Sequence, residues 1–148
     1  MQVDPVVKAV WFFCALAAVS ISDLLTRRIP NVFSILIAAA GLLTTHPAHF
    51  AAQMTGALAA LPFLAAAILF SDRVGGGDIK FVAAAGLFLG HPSTLWGVIF
   101  GLVSAIGYAF LRAGIGKVRK ESIAVNQISI PLAPFLSAGF AASYLLKV

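Results

Sequence analysis

The chain has 148 residues, of which 61% are hydrophobic and only 10% are charged, and its mean hydropathy is +1.02. A soluble domain carries about 25% charged residues, so this composition excludes an ordinary soluble protein. The high hydrophobicity also excludes a disordered chain. The net charge of +5 indicates membrane topology rather than a nucleic-acid partner, because membrane proteins concentrate Lys and Arg in cytoplasmic loops. The single cysteine, Cys14, allows neither an intrachain disulfide nor a cysteine-based zinc site.

Six apolar segments predict an all-α integral membrane protein with about six transmembrane helices, folded as a single domain over residues 1–148. The predicted spans are residues 6–22, 32–45, 50–70, 79–90, 94–111 and 130–146. The second and fourth are shorter than the roughly 20 residues that cross a bilayer. They must therefore thin the bilayer, borrow flanking residues, or end inside a protein-lined cavity. The first segment could instead be a signal peptide, but Asp4 beside Lys8 and the spans that follow favour a first membrane helix.

The basic residues predict the orientation. One group follows the first, third and fifth spans and comprises Arg27, Arg28, Arg73, Lys80, Arg112, Lys117, Arg119 and Lys120; the opposite side has only Lys8 and Lys147. The positive-inside rule then places both termini outside and the loops around 23–31, 71–79 and 112–129 in the cytoplasm. The outer loops, 45–49 and 90–93, contain His46, His49 and His91, which we interpret as loop histidines rather than metal ligands.

Glycines in the predicted spans have the spacing of helix-packing motifs. Gly86 and Gly90 form one small-xxx-small pair, and Gly97 and Gly101 form another. Such pairs let helices approach closely. We expect them to pack helices within the chain rather than to form a dimer face.

Two acidic residues lie at span ends on the same predicted membrane face. Asp23 ends the first span, and Asp78 starts the fourth. Two carboxylates at matched depth can share one proton, so that one acts as a base on water while the other polarises a carbonyl. This chemistry requires no metal and no other cofactor. Alternatively, the two acids form structural pairs with nearby Arg or Lys, or relay protons in a non-enzymatic membrane subunit or small transporter.

The residues around these acids carry further expectations. Gly75, Gly76 and Gly77 precede Asp78 and are expected to permit positive φ and the close approach of an extended substrate. Pro30 favours an extended residue before it, and Asn31 is expected to be the N-cap of the second span. Lys80 should point about 200° away from Asp78 on a helix, as a headgroup or packing residue.

Three separated segments resemble the type IV prepilin peptidases, which are membrane aspartic proteases of the Gly-x-Gly-Asp kind. Residues 23–31 look like the first-aspartate motif, in which Pro and then Asn or Asp follow the aspartate. Residues 75–80, continuing to residue 90, are similar to the second motif, and residues 130–136 resemble the Pro-rich start of the last helix.

This resemblance implies that Asp23 and Asp78 are the catalytic pair, supported by Gly75, Gly76, Gly77, Lys80, Pro30 and Asn31. It implies cleavage of the leader of type IV, Flp-type prepilins or pseudopilins at the cytoplasmic face of the bacterial inner membrane, without a metal. The chain looks more like the short, peptidase-only members that serve tight-adherence (Tad) pili. It is expected to lack the N-terminal cysteine-containing methyltransferase region of the longer bacterial members.

Overall fold

A computed structural model of the protein describes residues 4–44, 48, 50–69, 75–118 and 131–146. Within these residues the chain forms six helices and no strand, which confirms the predicted all-α class. The helices are α1 (Pro5–Thr26), α2 (Asn31–Leu43), α3 (Phe50–Leu69), α4 (Gly76–Leu89), α5 (His91–Val118) and α6 (Ala133–Leu146). Several residues used to predict topology lie outside the described ranges: His46, His49, Arg73, Arg119, Lys120 and Lys147.

Long and short helices alternate along the chain. By length and composition, α1, α3 and α5 can cross a membrane. In contrast, α2, α4 and α6 have only 13, 14 and 14 residues, about 20 Å at 1.5 Å per residue. The second and fourth helices were expected to be short. The sixth is shorter than expected, because it begins at Ala133 rather than at residue 130.

The turn between α4 and α5 is much tighter than the predicted outer loop 90–93. Only Gly90 separates the two helices, and its φ of +82° is a conformation that glycine adopts without steric cost. Its N–H donates to the Gly86 carbonyl at 2.9 Å, which closes the last turn of α4. His91 is therefore the exposed first residue of α5 rather than a loop residue, and α5 continues to Val118, beyond the predicted end of its span.

Helix α3 contains one irregular turn. A 3₁₀ segment at Leu58–Ala60 separates its two α-helical halves. Pro62 lies two residues after Ala60 and has no N–H to donate to the Leu58 carbonyl, and its ring crowds that carbonyl. The local tightening thus follows from a single proline.

Glycine contacts bring pairs of helices unusually close. A Cβ added at Gly139 of α6 would overlap the backbone of Gly97 and Gly101 on α5, and one at Gly86 of α4 would overlap the backbone of Gly56 on α3. The predicted use of Gly86, Gly97 and Gly101 in packing within the chain is therefore confirmed.

An aromatic contact joins α1 to α4. The rings of Phe12 and Phe88 stack with centroids 4.2 Å apart.

Many large apolar side chains cover the outside of the bundle. Examples are Leu43 at 82% exposure, Phe110 at 75% and Val6 at 70%. A water-soluble protein rarely exposes apolar patches of this extent. This surface is consistent with a protein whose helices face lipid.

Candidate active site

Asp23 lies near the end of α1 and is buried, with 7% of its surface exposed. Its carboxylate oxygen Oδ2 accepts the backbone N–H of Ala133 at 3.1 Å. Its backbone carbonyl accepts the N–H of Arg27 at 2.8 Å. The side chain of Asp23 is therefore hydrogen-bonded to the start of α6, and its backbone carbonyl is hydrogen-bonded to the end of α1.

The N-terminus of α6 supplies the donor to Asp23. Ala133 is the fully buried first residue of α6, and the N–H groups of a first helical turn have no partner inside the helix. Pro134 suits this position, because its fixed φ matches the helix and its missing N–H is one of those unpaired donors. Asp23 thus caps α6, where the helix dipole favours a negative charge.

Asp78 occupies the first turn of α4 and is half-buried. Its backbone N–H donates to the Gly75 carbonyl at 3.0 Å. A Cβ at Gly75 would lie 3.2 Å from Oδ2 of Asp78, and one at Gly77 would lie 3.1 Å from Cβ of Ile29. The absence of side chains here leaves room for the carboxylate and for the neighbouring loop.

The expectation of positive φ in this glycine run is wrong. Gly75 has φ −67° and ψ 131°, and among the described glycines only Gly90 has a positive φ. Gly76 and Gly77 belong to α4, so the run begins a helix instead of breaking one. Its relevant property is therefore the lack of side chains.

One cavity of about 310 Å³ lies between the segment that contains Asp23 and the segment that contains Asp78. Both carboxylates line it, and they lie near enough to interact electrostatically. The full lining is Asp23, Arg27, Arg28, Ile29, Asn31, Gly75, Gly76, Gly77 and Asp78. Pro30 and Lys80 are not part of it.

The loop from α1 to α2 has a defined conformation. Arg27 ends α1 in the left-handed region, with φ 52° and ψ 34°. The Ser22 hydroxyl donates to the Arg28 carbonyl at 3.2 Å. The Thr26 hydroxyl donates to the Ser22 carbonyl at 2.8 Å and lies 3.3 Å from the Arg28 carbonyl. Among the described residues, neither Arg27 nor Arg28 forms an ion pair with Asp23 or Asp78, although all four line the same cavity.

Asn31 and Lys80 have a different arrangement from the one expected. Asn31 is not the N-cap of α2; it is the first residue of that helix, and Pro30 occupies the cap position with φ −62° and ψ 130°. The Asn31 Oδ1 atom instead accepts a hydrogen bond from Lys80 Nζ at 3.1 Å. Lys80 therefore links α4 to α2, which is the packing role that its helical position indicated.

Four residues of this site are not predicted from the sequence. Arg27, Arg28 and Ile29 line the cavity, although the two arginines were interpreted chiefly as orientation signals. No role for the backbone N–H of Ala133 is predicted from the sequence. The signal for it was Pro134, a residue typical of a helix start.

The arrangement is suited to acid–base chemistry on water. A cavity lined by two carboxylates can hold a water molecule between a base and a proton donor. In the part of the chain that the structure describes, no three His, Cys, Asp or Glu side chains come together as a metal site.

Comparison with known proteins agrees with the motif resemblance. A model of the type IV leader peptidase family matches residues 10–111. A prepilin leader peptidase/N-methyltransferase of Bacillus subtilis (strain 168) is 30% identical over 141 residues, which cover 93% of this chain and 54% of that protein. The chain thus spans about half the length of the curated relative that it matches. No solved structure matches it.

Proposed function

Because the chain belongs to the type IV leader peptidase family, we propose that it is an aspartic endopeptidase in which Asp23 and Asp78 activate water. The observation that carries this proposal is the shared cavity of about 310 Å³, which both carboxylates line. Asp23 and Asp78 are 55 positions apart in the sequence and belong to different helices. If each acid had only a local structural role, there would be no reason for both to line one cavity.

The two carboxylates have different surroundings, which supports different roles. Asp23 accepts the Ala133 N–H at the start of α6, an environment that stabilises negative charge. We assign it as the base. Among the described residues no side chain or N–H donates to the Asp78 carboxylate, and this residue carries the shared proton.

The reaction then follows from the positions of these protons. Asp23 takes a proton from water while the water oxygen attacks the scissile carbonyl carbon, and Asp78 donates its proton to the developing oxyanion. When the C–N bond breaks, the leaving nitrogen takes the proton held by Asp23, and one hydroxyl of the tetrahedral diol returns its proton to Asp78 as the carbonyl re-forms. No covalent enzyme intermediate forms.

The proposed substrate is the leader of a Flp-type prepilin, cut at the cytoplasmic face of the bacterial inner membrane. The name of the Bacillus relative and the family support prepilins as the substrate class. The bias of Lys and Arg toward the Asp23 and Asp78 side supports the cytoplasmic orientation. That relative's name also includes an N-methyltransferase, whereas our proposal concerns peptide cleavage alone.

The test is cleavage of a Flp-type prepilin by the protein reconstituted in vesicles. Asp23→Asn and Asp78→Asn should each lower the cleavage rate by about 10²–10⁴-fold while the protein still inserts and folds. Asp4→Asn is the matched control, since Asp4 is an exposed acid at the other end of α1 whose side chain makes no cap hydrogen bond. Cleavage that survives either substitution, or a wild type inactive on several prepilins, would overturn the proposal and favour a structural or proton-relay role.

A further inference from the structure

A second cavity lies at the opposite end of the bundle from the two aspartates. It has a volume of about 170 Å³ and is lined by Val7, Lys8, Trp11, Ala40, Thr44 and Phe88. These residues come from the beginning of α1 and the ends of α2 and α4. Lys8 lies ~22 Å from Asp23 along α1, at a rise of 1.5 Å per residue, which is about three quarters of the ~30 Å thickness of a bilayer core.

Lys8 is turned into this cavity rather than toward water. Its side chain is half-buried, and Nζ lies 5.0 Å from the centroid of the Phe88 ring. Lysines at membrane boundaries usually extend their ammonium group to the aqueous side. A cation over an aromatic face recovers only part of the hydration that the ammonium loses.

No anion within the described part of the chain balances this charge. Lys8 Nζ has no hydrogen bond or ion pair there, although Asp4 stands one helical turn before it. The indole N–H of Trp11, a lining residue that is 36% exposed, likewise has no acceptor among those residues. An ammonium and an indole N–H that both lack acceptors form a donor set suited to a phosphate oxygen.

The surroundings indicate where such a phosphate would come from. Val7, which lines the cavity, is 56% exposed, and Val10 and Leu43, the sequence neighbours of the lining residues Trp11 and Thr44, are 57% and 82% exposed. Apolar surface is therefore available beside the cavity. A tryptophan at this depth is typical of the membrane interface. A free phosphate would use only the polar part of this surface, whereas a phospholipid would also cover the apolar part.

We propose that this cavity binds the headgroup phosphate of an anionic phospholipid, in the leaflet opposite to the two aspartates. The phosphate accepts from Lys8 and Trp11, and an acyl chain lies along Val7, Val10 and Leu43. A zwitterionic lipid fits less well, because its choline cation would lie near the Lys8 ammonium. This site is independent of the proposed peptidase activity.

The experiment adds lipid to the protein purified in detergent and measures Tm and lipid retention by native mass spectrometry. Dioleoyl phosphatidylglycerol should raise the wild-type Tm by about 2–4 °C and remain bound, and dioleoyl phosphatidylcholine should do neither. Lys8→Gln should lose at least half of the Tm rise and the retained lipid, while Lys8→Arg should keep both. Arg112→Gln is the control, because it removes an exposed positive charge on α5 outside the cavity.

Three outcomes would overturn the proposal. One is an equal Tm rise in Lys8→Gln and wild type, and another is an equal rise with phosphatidylcholine. The third is an equal rise with inorganic phosphate alone, which would make this a site for a free anion. If Lys8→Gln does not fold, Trp11→Phe replaces it, because that variant removes the indole donor and keeps an aromatic ring; retention equal to wild type would then contradict the proposal.

Discussion

At the scale of single residues, Arg27 has the least favourable backbone among the described residues, since it alone of the non-glycine residues has a positive φ. A left-handed conformation costs an L-residue about 1–2 kcal/mol, and glycine avoids this cost. The helix end at Arg27 is of the kind that glycine usually occupies. Arg27 therefore places a guanidinium in the cavity that the two acids line, and this arrangement lowers the folding stability of the protein.

This cost can be measured. Arg27→Gly should increase the free energy of unfolding by about 1 kcal/mol, measured by denaturant titration in mixed micelles. Arg28→Gly is the matched control, because Arg28 also lines the cavity but has no positive φ. It should leave stability unchanged or lower it. A gain of equal size in both variants would show that removal of positive charge, and not backbone strain, is responsible.

Residue partners were the part of the site that sequence could least predict. Asp23 and Asp78 could be singled out because acids at the ends of apolar spans are few. The partner of Asn31 could not, since Lys80 is 49 positions away and their contact depends on how α2 packs against α4. The donor to Asp23 is a backbone N–H, which any residue except proline supplies. Pro134 indicates that a helix starts here, but it does not indicate which acceptor the N–H would find.

At the scale of helices, Asp23 acts as a cap as well as a proposed catalytic group, and these two roles can be separated. Asp23→Ala removes the acceptor for Ala133 and should lower stability by about 1 kcal/mol. Asp23→Asn retains an acceptor oxygen and should lower it by much less. The measurement is thermal unfolding of both variants, with prepilin cleavage measured in parallel.

Asp78→Ala provides the comparison, because the Asp78 carboxylate accepts no hydrogen bond among the described residues. It should abolish cleavage with little loss of stability. Equal thermal shifts for Asp23→Ala, Asp23→Asn and Asp78→Ala would contradict a capping role for Asp23.

The contact between α5 and α6 gives a prediction about packing. Gly139→Ala places a methyl group against the backbone of Gly97 and Gly101, so the helices must separate, at a cost of about 1–3 kcal/mol. Gly107 lies on α5, as Gly97 and Gly101 do, but a Cβ added there has no neighbour within 4 Å. Gly107→Ala should therefore be neutral or slightly stabilising. Tm values of both variants check this, and a Gly139→Ala variant as stable as Gly107→Ala would show that the two helices can move apart freely.

Helices were easier to predict from sequence than their ends. Runs of apolar residues suffice to indicate each span, because a polar backbone cannot cross lipid in any form but a helix or a closed barrel. The residue at which each helix begins or ends depends on the backbone conformation of single residues. Gly90 allowed a one-residue turn where a loop was expected, and Gly76 and Gly77 extended α4 at its start.

At the scale of the whole molecule, the orientation in the membrane follows from the distribution of Lys and Arg and remains a prediction. In a Cys14→Ser background, Asp4→Cys should react with an impermeant maleimide added to intact spheroplasts. Arg28→Cys should react only in inverted vesicles. Both positions are exposed. The reverse pattern would place the two aspartates on the outer face.

The hydrogen bond between Ala133 and Asp23 spans 110 positions of the chain, which has a consequence for the order of events during synthesis. At roughly 5–20 residues per second, about 5–20 s separate the translation of Asp23 from that of its donor. Asp78 is also made during this interval, so a nascent chain holds both acids before α6 anchors one of them. The proposed peptidase would therefore become active only after α6 has docked, and a chain that stalls before this helix would carry both aspartates without cutting its neighbours.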